Sequence, residues 1–314
     1  MNSVQVSIII VNYGGISKLI ECIDSLTEHT QNINYEIIVV NNEIAEEDIN
    51  RLLNKYKQRS EIKFLNNRNN TGFAAANNQG VRIARGKYIL LLNNDTVFTE
   101  NSLLAIYNYV ESQKDKLIVG CKLLNEDGTV QISVGKFDTL SYLFFTNFFL
   151  YKLFPRNEKI NKYFYNYIDL KKITPVDYVK GAFLFISRDE FLKLNGFDES
   201  FFFYGEETEL CYRFKKSGGK VIYFPETSII HTGGASTGDI SWFKFKNQSL
   251  SKLRMYRKQF KGYKLIIALS LHYTGLLFRV PLYFFSGVFS LNFKMIKKSY
   301  YYIKQIFILP IFNK

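Results

Sequence analysis

The sequence predicts an α/β protein: a mostly parallel mixed sheet with flanking helices, followed by a basic, aromatic C-terminal helical segment. Three observations predict it. Strand-like and helix-like stretches alternate through the first hundred residues. The strand-like stretches are unbroken apolar runs, as expected of parallel strands covered on both faces. The positive charge is segregated: 14 of the 41 Lys and Arg residues, and none of the 28 acids, fall in residues 241–314.

The elements follow in order. VSIIIVN is the first strand and ends at Asn12. Ile16, Leu19, Ile20, Ile23 and Leu26 then repeat at helical spacing. YEIIVVNN is the second strand, ending at Asn41 and Asn42, and Ile49, Leu52, Leu53 and Tyr56 mark a second helix. IKFLNN is the third strand, a helix covers 77–85, and KYILLLNND is the fourth strand. Residues 102–110 read as a helix, and LIVGCKLLNEDGTVQIS as a hairpin turning at Asp127-Gly128. VDYVKGAFLFIS has strand character, RDEFLKLNGF is a short helix, and GEETELCYRFKKSGG is a helix stopped by its glycine pair. KVIYFP and TSIIH read as two further short strands, and Phe201, Phe202 and Phe203 as core.

Every parallel strand ends on amides or an acid: Asn12, Asn41, Asn66, and the Asn93-Asn94-Asp95 cluster. In open parallel sheets ligands bind beyond those ends, so these residues should line one cleft. A lone strand-end Asp is better explained as a turn cap. The acids Glu206 and Glu207 open a helix, where dipole compensation alone accounts for either one.

The apolar fraction of 47% supports a packed core. Cys22, Cys121 and Cys211 form no disulfide framework or metal-ligand spacing, which suits a reducing compartment. The first residues, MNSVQVSIIIVNY, read as a strand rather than a leader. Residues 1–240 carry 27 basic and 28 acidic residues, so the net charge of +13 belongs to the C-terminal segment. We expect a catalytic domain over 1–240 and a membrane-associating region over 241–314. LIIALSLHYTGLLF and VPLYFFSGVFSLNF are two apolar runs divided by Arg279 and Pro281. Each is shorter than the roughly 20 residues of a spanning helix. They are expected to lie on an anionic lipid surface as interfacial helices. The same charge could serve nucleic acid, but the segment is aliphatic as well as aromatic and the rest is neutral. Residues 137–172, rich in aromatics and lysines, show no clean period.

Four segments, VSIIIVNY, NNTGFAAANNQG, LLLNNDTVF and the block from Gly181 to Ser236, together resemble glycosyltransferase family 2, and within it the rhamnosyltransferase-like members of bacterial polysaccharide biosynthesis. The resemblance covers roughly residues 4–257. It implies the GT-A fold and an inverting, metal-dependent transfer of a sugar from a nucleoside-diphosphate sugar to a hydroxyl. The acceptor it implies is a glycan, such as one on a polyprenyl lipid, at the cytoplasmic face of the membrane. It assigns Asp95 and His231 to a divalent cation, Mn2+ or Mg2+. Glu207 falls at the general base, with Glu206 as the alternative. Val11, Asn12, Tyr13, Asn41, Asn42, Asn70, Gly72, Phe73, Asn93, Asn94, Gly181 and Ala182 fall around the nucleotide sugar. The family usually shows Glu-Asp where this chain has Glu206-Glu207, and an Asp where it has Asn41. Two other readings stay open. A sugar-phosphate nucleotidyltransferase would need a basic Gly-rich loop after the first strand, which NYGGISK matches poorly. A catalytically weak relative would act as a membrane-bound binding protein.

Overall fold

The computed structural model describes residues 3–153, 169–233 and 241–308. It divides into two compact units, one of Met1–Phe137 with Ile168–Ser236, the other of Asp138–Tyr167 with Thr237–Lys314.

The first unit is built on a sheet in the order β3-β2-β1-β4-β11-β6-β12-β5, with β7 beside β6 and β9 beside β12. Strands β1 (Val6–Asn12), β2 (Tyr35–Asn42), β3 (Ile62–Asn67) and β4 (Tyr88–Asn93) run parallel. Helices α1 (Ser17–His29), α2 (Glu46–Lys55) and α3 (Phe73–Ile83) connect them. Gly80, inside α3, is a packing requirement, because a Cβ there would sit 2.5 Å from Ile9 Cγ2. Beyond β4 the sheet is mixed. Strand β11 (Phe183–Ser187) is antiparallel to β4 and β6 (Leu117–Leu124), while β12 (Lys220–His231) is parallel to β6. The short β5 (Thr96–Phe98) and β7 (Val130–Gln131) pair antiparallel with the ends of β12 and β6. Strands β8 (Val134–Gly135) and β10 (Tyr178–Val179) form a separate ribbon, and β9 (Thr174–Val176) edges β12. Helices α4 (Ser102–Glu111), α7 (Arg188–Lys193) and α8 (Glu206–Lys216) complete this unit.

Two expectations are corrected here. KVIYFP and TSIIH are one strand, β12, whose register shifts between Phe224 and Ser228. The irregularity lets Pro225, which has no N–H for the ladder, sit inside the run. Of the three consecutive phenylalanines, Phe201 is buried but Phe202 is exposed.

The second unit contains α5 (Leu140–Asn147), α6 (Leu150–Leu153), α9 (Trp242–Gln259), α10 (Tyr263–Phe289) and α11 (Phe293–Ile308). Leu143, Leu253, Tyr256, Phe260, Ala268 and Leu276 form its core. The expected break at Arg279 and Pro281 does not occur: α10 is a single helix of 27 residues. The guanidinium of Arg279 donates to Asn147 Oδ1 and to the Thr146 carbonyl, both at 3.1 Å, and lies over the Phe149 ring. A cation at the carbonyl end of α5 is favourably placed, so the charge is satisfied without interrupting the helix. Gly275 allows this approach, since a Cβ there would meet Asn147 Cβ at 2.7 Å. By length and composition α10 could cross a membrane. Part of residues 137–172 is thus helical; 154–168 lie outside the described residues.

At the N-terminal edge of the sheet a single carboxylate ties three strands. Glu36 is fully buried. It accepts from Ser7 Oγ and the Arg85 N–H at 2.7 Å, and from Lys63 Nζ at 2.9 Å. Burial alone would raise its pKa, but these donors together hold it below the ordinary glutamate range. Its stabilisation is therefore complete above the ordinary pKa and is lost as pH falls through the lower, folded value. Glu36→Ala should cost about 1–3 kcal/mol, because the Ser7 hydroxyl and the Arg85 N–H lose their acceptor while the exposed Lys63 and Arg85 side chains stay solvated. In urea denaturation followed against pH, Glu36→Gln should lose part of the acid-side slope that the native chain shows.

Candidate active site

The parallel register brings Asn12, Asn41 and Asn66 level with one another, and Asn93 level with Val11. Their side chains form a directed chain of amides. Asn94 Nδ2 donates to Asn12 Oδ1 (2.7 Å), Asn12 Nδ2 to Asn41 Oδ1 (3.4 Å), and Asn41 Nδ2 to Asn66 Oδ1 (2.7 Å). Asn12 and Asn41 are buried within this chain and Asn66 is its exposed end. Asn42 and Asn70 do a different task. Asn42 Oδ1 accepts from the Thr71 N–H at 2.9 Å, its Nδ2 donates to Asn70 Oδ1 at 2.8 Å, and Asn70 Oδ1 takes the Gly72 N–H at 2.9 Å. Together they shape the turn before α3. Gly72 has φ +85°, and a Cβ there would meet the Phe202 carbonyl at 2.8 Å, so only glycine fits. Phe73 N donates to that same carbonyl, and its ring packs near Phe197 and Phe203.

Beyond the end of β1 a cavity of about 380 Å³ is lined by Tyr13, Gly14, Gly15, Ser17, Lys18, Asn94 and Asp95. Tyr13, Asn94 and Asp95 were expected there. Lys18 was not: a single Lys near a helix start carries no pattern of its own. Its ammonium donates to Thr232 Oγ1 at 2.5 Å, which brings a cation beside the loop after β12.

Asp95 sits in the tight turn between β4 and β5. Because Thr96 pairs with His231 across β5 and β12, and the Thr232 N–H donates to the Asp95 carbonyl at 3.0 Å, the carboxylate and the imidazole are brought together. Asp95 Oδ1 lies 3.3 Å from His231 Nε2. Yet this buried oxygen has no hydrogen-bond partner among the described residues. A turn-capping Asp would bond a backbone N–H; this one presents a bare oxygen beside a ring nitrogen. Oxygen and imidazole nitrogen suit a hard or borderline divalent ion such as Mg2+ or Mn2+. No three His, Cys, Asp or Glu side chains gather among the described residues. A cation held here would take only two ligands from the chain, as ions that share their shell with substrate phosphates do.

Glu206 and Glu207 begin α8 behind two left-handed residues, Tyr204 (φ +71°) and Gly205 (φ +90°). Each carries one buried carboxylate oxygen without a partner among the described residues. Burial pushes Glu206 well above the carboxylate range, and the Glu207 charge adds to this. Burial raises Glu207 as well, opposed by backbone N–H groups of the helix start and by Lys180. Glu206 is more enclosed; Glu207 is the more accessible of the two. Glu207 also flanks Gly181, whose neighbour Ala182 accepts the Asn93 N–H at 3.2 Å. Glu207, Gly181-Ala182 and the β4 end carrying Asp95 are thus linked contact by contact. Glu209 and Arg213, four residues apart on α8, form an ion pair at 2.7 Å, and Arg213 also donates to the carbonyls of Leu194 and Gly196. Their role is structural.

A family model described as glycosyl transferase family 2 matches residues 7–185, and one described as the N-terminal domain of galactosyltransferase matches residues 168–233. The chain is 30% identical over 239 residues to the rhamnosyltransferase WbbL of Escherichia coli, covering 72% of this chain and 83% of that protein. It is 27% identical over 231 residues to a low-salt glycan biosynthesis hexosyltransferase of Haloferax volcanii, covering 72% and 67%. Among solved structures it resembles the mannosyltransferase PcManGT from Pyrobaculum calidifontis in complex with GDP-Man and Mn2+ (TM-score 0.57, 12% identity, 98% of this chain and 88% of that one). It also resembles GalNAc-T7 with UDP, GalNAc and Mn2+ (TM-score 0.57, 17% identity, 83% of this chain). It spans about half of that longer chain, 52%. These likenesses show the GT-A fold. With strand ends, acids and imidazole arranged as described, and a family match over more than half its length, the chain belongs to glycosyltransferase family 2.

Proposed function

We propose that this glycosyltransferase is a metal-dependent, inverting hexosyltransferase that moves a sugar from a nucleoside-diphosphate sugar to a hydroxyl of a lipid-linked glycan, in the assembly of cell-surface polysaccharide. The observation that carries the proposal is the bare, buried Asp95 oxygen 3.3 Å from His231 Nε2, at the strand ends where the Glu207 segment also arrives. The mannosyltransferase and GalNAc-T7 structures, both with Mn2+ and nucleotide, support a donor and cation of this class. The rhamnosyltransferase and O-antigen relatives support the pathway class.

In this reading Asp95 and His231 hold the cation, which when bound offsets the charge that builds on the departing diphosphate. Tyr13, Asn94 and the Gly14-Gly15 turn face the nucleotide, and Lys18 adds positive charge. Glu207 accepts the proton of the acceptor hydroxyl. The acceptor oxygen then bonds to C1 from the face opposite the diphosphate, whose C1–O bond breaks, and the anomeric centre inverts. A base with a raised pKa holds an abstracted proton more firmly, and the enclosed Glu206 beside it carries a proton more readily still. The rate should fall as pH drops through a pKa above the ordinary carboxylate range, because the base is then protonated.

The second unit supports membrane contact. Ile266, Leu277, Phe285, Phe289, Phe293 and Phe307 are exposed apolar side chains on or beside helices rich in Lys and Arg. Membrane contact of this unit at the cytoplasmic face would place the enzyme beside a lipid-linked acceptor. The three buried, unpaired cysteines suit that reducing side.

Calorimetric titration with UDP, dTDP, GDP and CDP should find one nucleotide that binds with Mn2+ and is released by chelator. Asp95→Ala should abolish that binding; binding that is indifferent to chelator and to this substitution would refute the cation site. Glu207→Gln should keep nucleotide binding and lose turnover by about 10²–10⁴-fold or more. Unchanged turnover would move the base to Glu206. In flotation with vesicles, the chain should rise with anionic lipid and less with neutral lipid. Equal recovery with both would remove the electrostatic part of the membrane reading.

A further inference from the structure

We infer that Gln131 is a positioning residue for the cation site. Backed by Asn125, Thr129 and Asp127, it holds His231 in the Nδ1–H tautomer and so presents the Nε2 lone pair to the cation. The cation itself belongs to the function proposed above; the tautomer does not depend on it.

The geometry is a relay with a fixed direction. Asp127 lies in the turn between β6 and β7, and its Oδ1 accepts from the Thr129 hydroxyl at 2.6 Å and the Thr129 N–H at 2.9 Å. These donors hold Asp127 below its ordinary pKa. An ionised carboxylate can only accept, so the Thr129 hydroxyl proton is committed to it. Thr129 Oγ1 then accepts from Asn125 Nδ2 at 2.9 Å. That orients the Asn125 amide and leaves its Oδ1 to accept from Gln131 Nε2 at 3.0 Å. Gln131 Nε2 also donates to the His231 carbonyl at 3.2 Å. With both amide hydrogens used, only Gln131 Oε1 faces the ring, 2.6 Å from His231 Nδ1. Two acceptors cannot meet at that distance, so Nδ1 carries the proton. In the neutral ring Nε2 then keeps its lone pair. Asn93 Nδ2 points a donor at it from 3.3 Å, and the unpartnered Asp95 Oδ1 lies at 3.3 Å. The Gln131 and Asn93 contacts both require this tautomer, and the Asp95 oxygen beside the same lone pair is the contact that a cation between them would relieve. Partners that hold the second ring nitrogen of a ligating histidine typically contribute 10–100-fold to metal affinity.

The sequence gives no warning of this role. Gln131 is a hundred positions from His231 and sits in a two-residue strand. The fold joins them because β7 and β12 flank the end of β6, with Leu123 facing Gln131 on one side and Ile229 on the other.

The test uses the full chain. The protein has three histidines, so long-range proton–nitrogen spectra of histidine-labelled, metal-free protein at about pH 8, above the ordinary histidine pKa, can report each tautomer. His231 is identified by the signal lost in His231→Ala. Native protein should show His231 as Nδ1–H. Gln131→Leu, of similar size but without an acceptor, should shift it towards Nε2–H, and Gln131→Glu should restore Nδ1–H. In parallel, free Mn2+ measured by electron paramagnetic resonance in the presence of nucleoside diphosphate should show about 10–100-fold weaker binding in Gln131→Leu and recovery in Gln131→Glu. An Nε2–H ring in the native chain, or a tautomer that Gln131→Leu leaves unchanged, would overturn the positioning role whatever the metal does. An Nδ1–H ring in a native chain that binds no Mn2+ would overturn the cation reading, and with it the purpose assigned to Gln131.

Discussion

Burying polar groups is costly unless each one finds a partner, and four parallel strands in register concentrate that cost along one line. Where the apolar runs of β1, β2, β3 and β4 stop, they stop at the same level. The side chains that follow lie side by side, partly out of water. This chain meets the constraint with asparagine. An amide both donates and accepts, so Asn94, Asn12, Asn41 and Asn66 satisfy one another in a single direction without introducing charge. A carboxylate at position 41 would lack the N–H that Asn66 Oδ1 now accepts. The amide row therefore stays neutral, and the titratable groups at this end of the sheet are Asp95 and Lys18, which line the same cavity, with Glu206 and Glu207 at the start of α8.

Those acids are treated in opposite ways, and the difference defines what each can do. Asp95 is enclosed, yet it is given a neighbouring imidazole rather than a full set of donors. This is a poor arrangement for stability and a suitable one for coordination. Glu206 and Glu207 are enclosed beside each other at a helix start. There the helix dipole and the N–H groups of the first turn favour the ionised form, while burial and mutual repulsion favour the protonated one. Burial wins at both positions. Such a pair titrates jointly, so a pH profile would report the dyad rather than either residue.

Much of this was legible in the sequence because the strands of an open parallel sheet announce themselves as apolar runs, and their ends announce the cleft. Asp95, His231 and Glu207 were singled out through segments whose spacing resembles the family, and the fold does bring Asp95 against His231. Periodicity misled where tertiary contacts override local signals. Pro225 inside β12 and Pro281 inside α10 both look like breaks, yet a register shift absorbs the first, and α10 runs on through the second while Arg279 is satisfied by α5. Gln131 and Lys18 were invisible for a different reason. A single amide or ammonium has no pattern, and its meaning comes only from a partner brought near by the sheet.

The glycines show how a structure separates residues that a motif lumps together. Gly72 and Gly181 both fall in segments that resemble the family, and both invite the reading that bulk would obstruct a ligand. At Gly72 the protein itself forbids a side chain, through the left-handed backbone and the Phe202 carbonyl 2.8 Å from any Cβ. Its presence is explained without a ligand. At Gly181 an added Cβ would lie 3.8 Å from Glu207 Cβ and from the Phe73 ring, an ordinary contact, and no left-handed angle is required. The fold leaves room there that the fold does not use. That room borders the proposed base and stands one residue from the carbonyl that anchors the end of β4. Of the two glycines, only Gly181 has a small size that packing does not demand, so Gly181→Ala is the one of the two substitutions that the fold itself would tolerate.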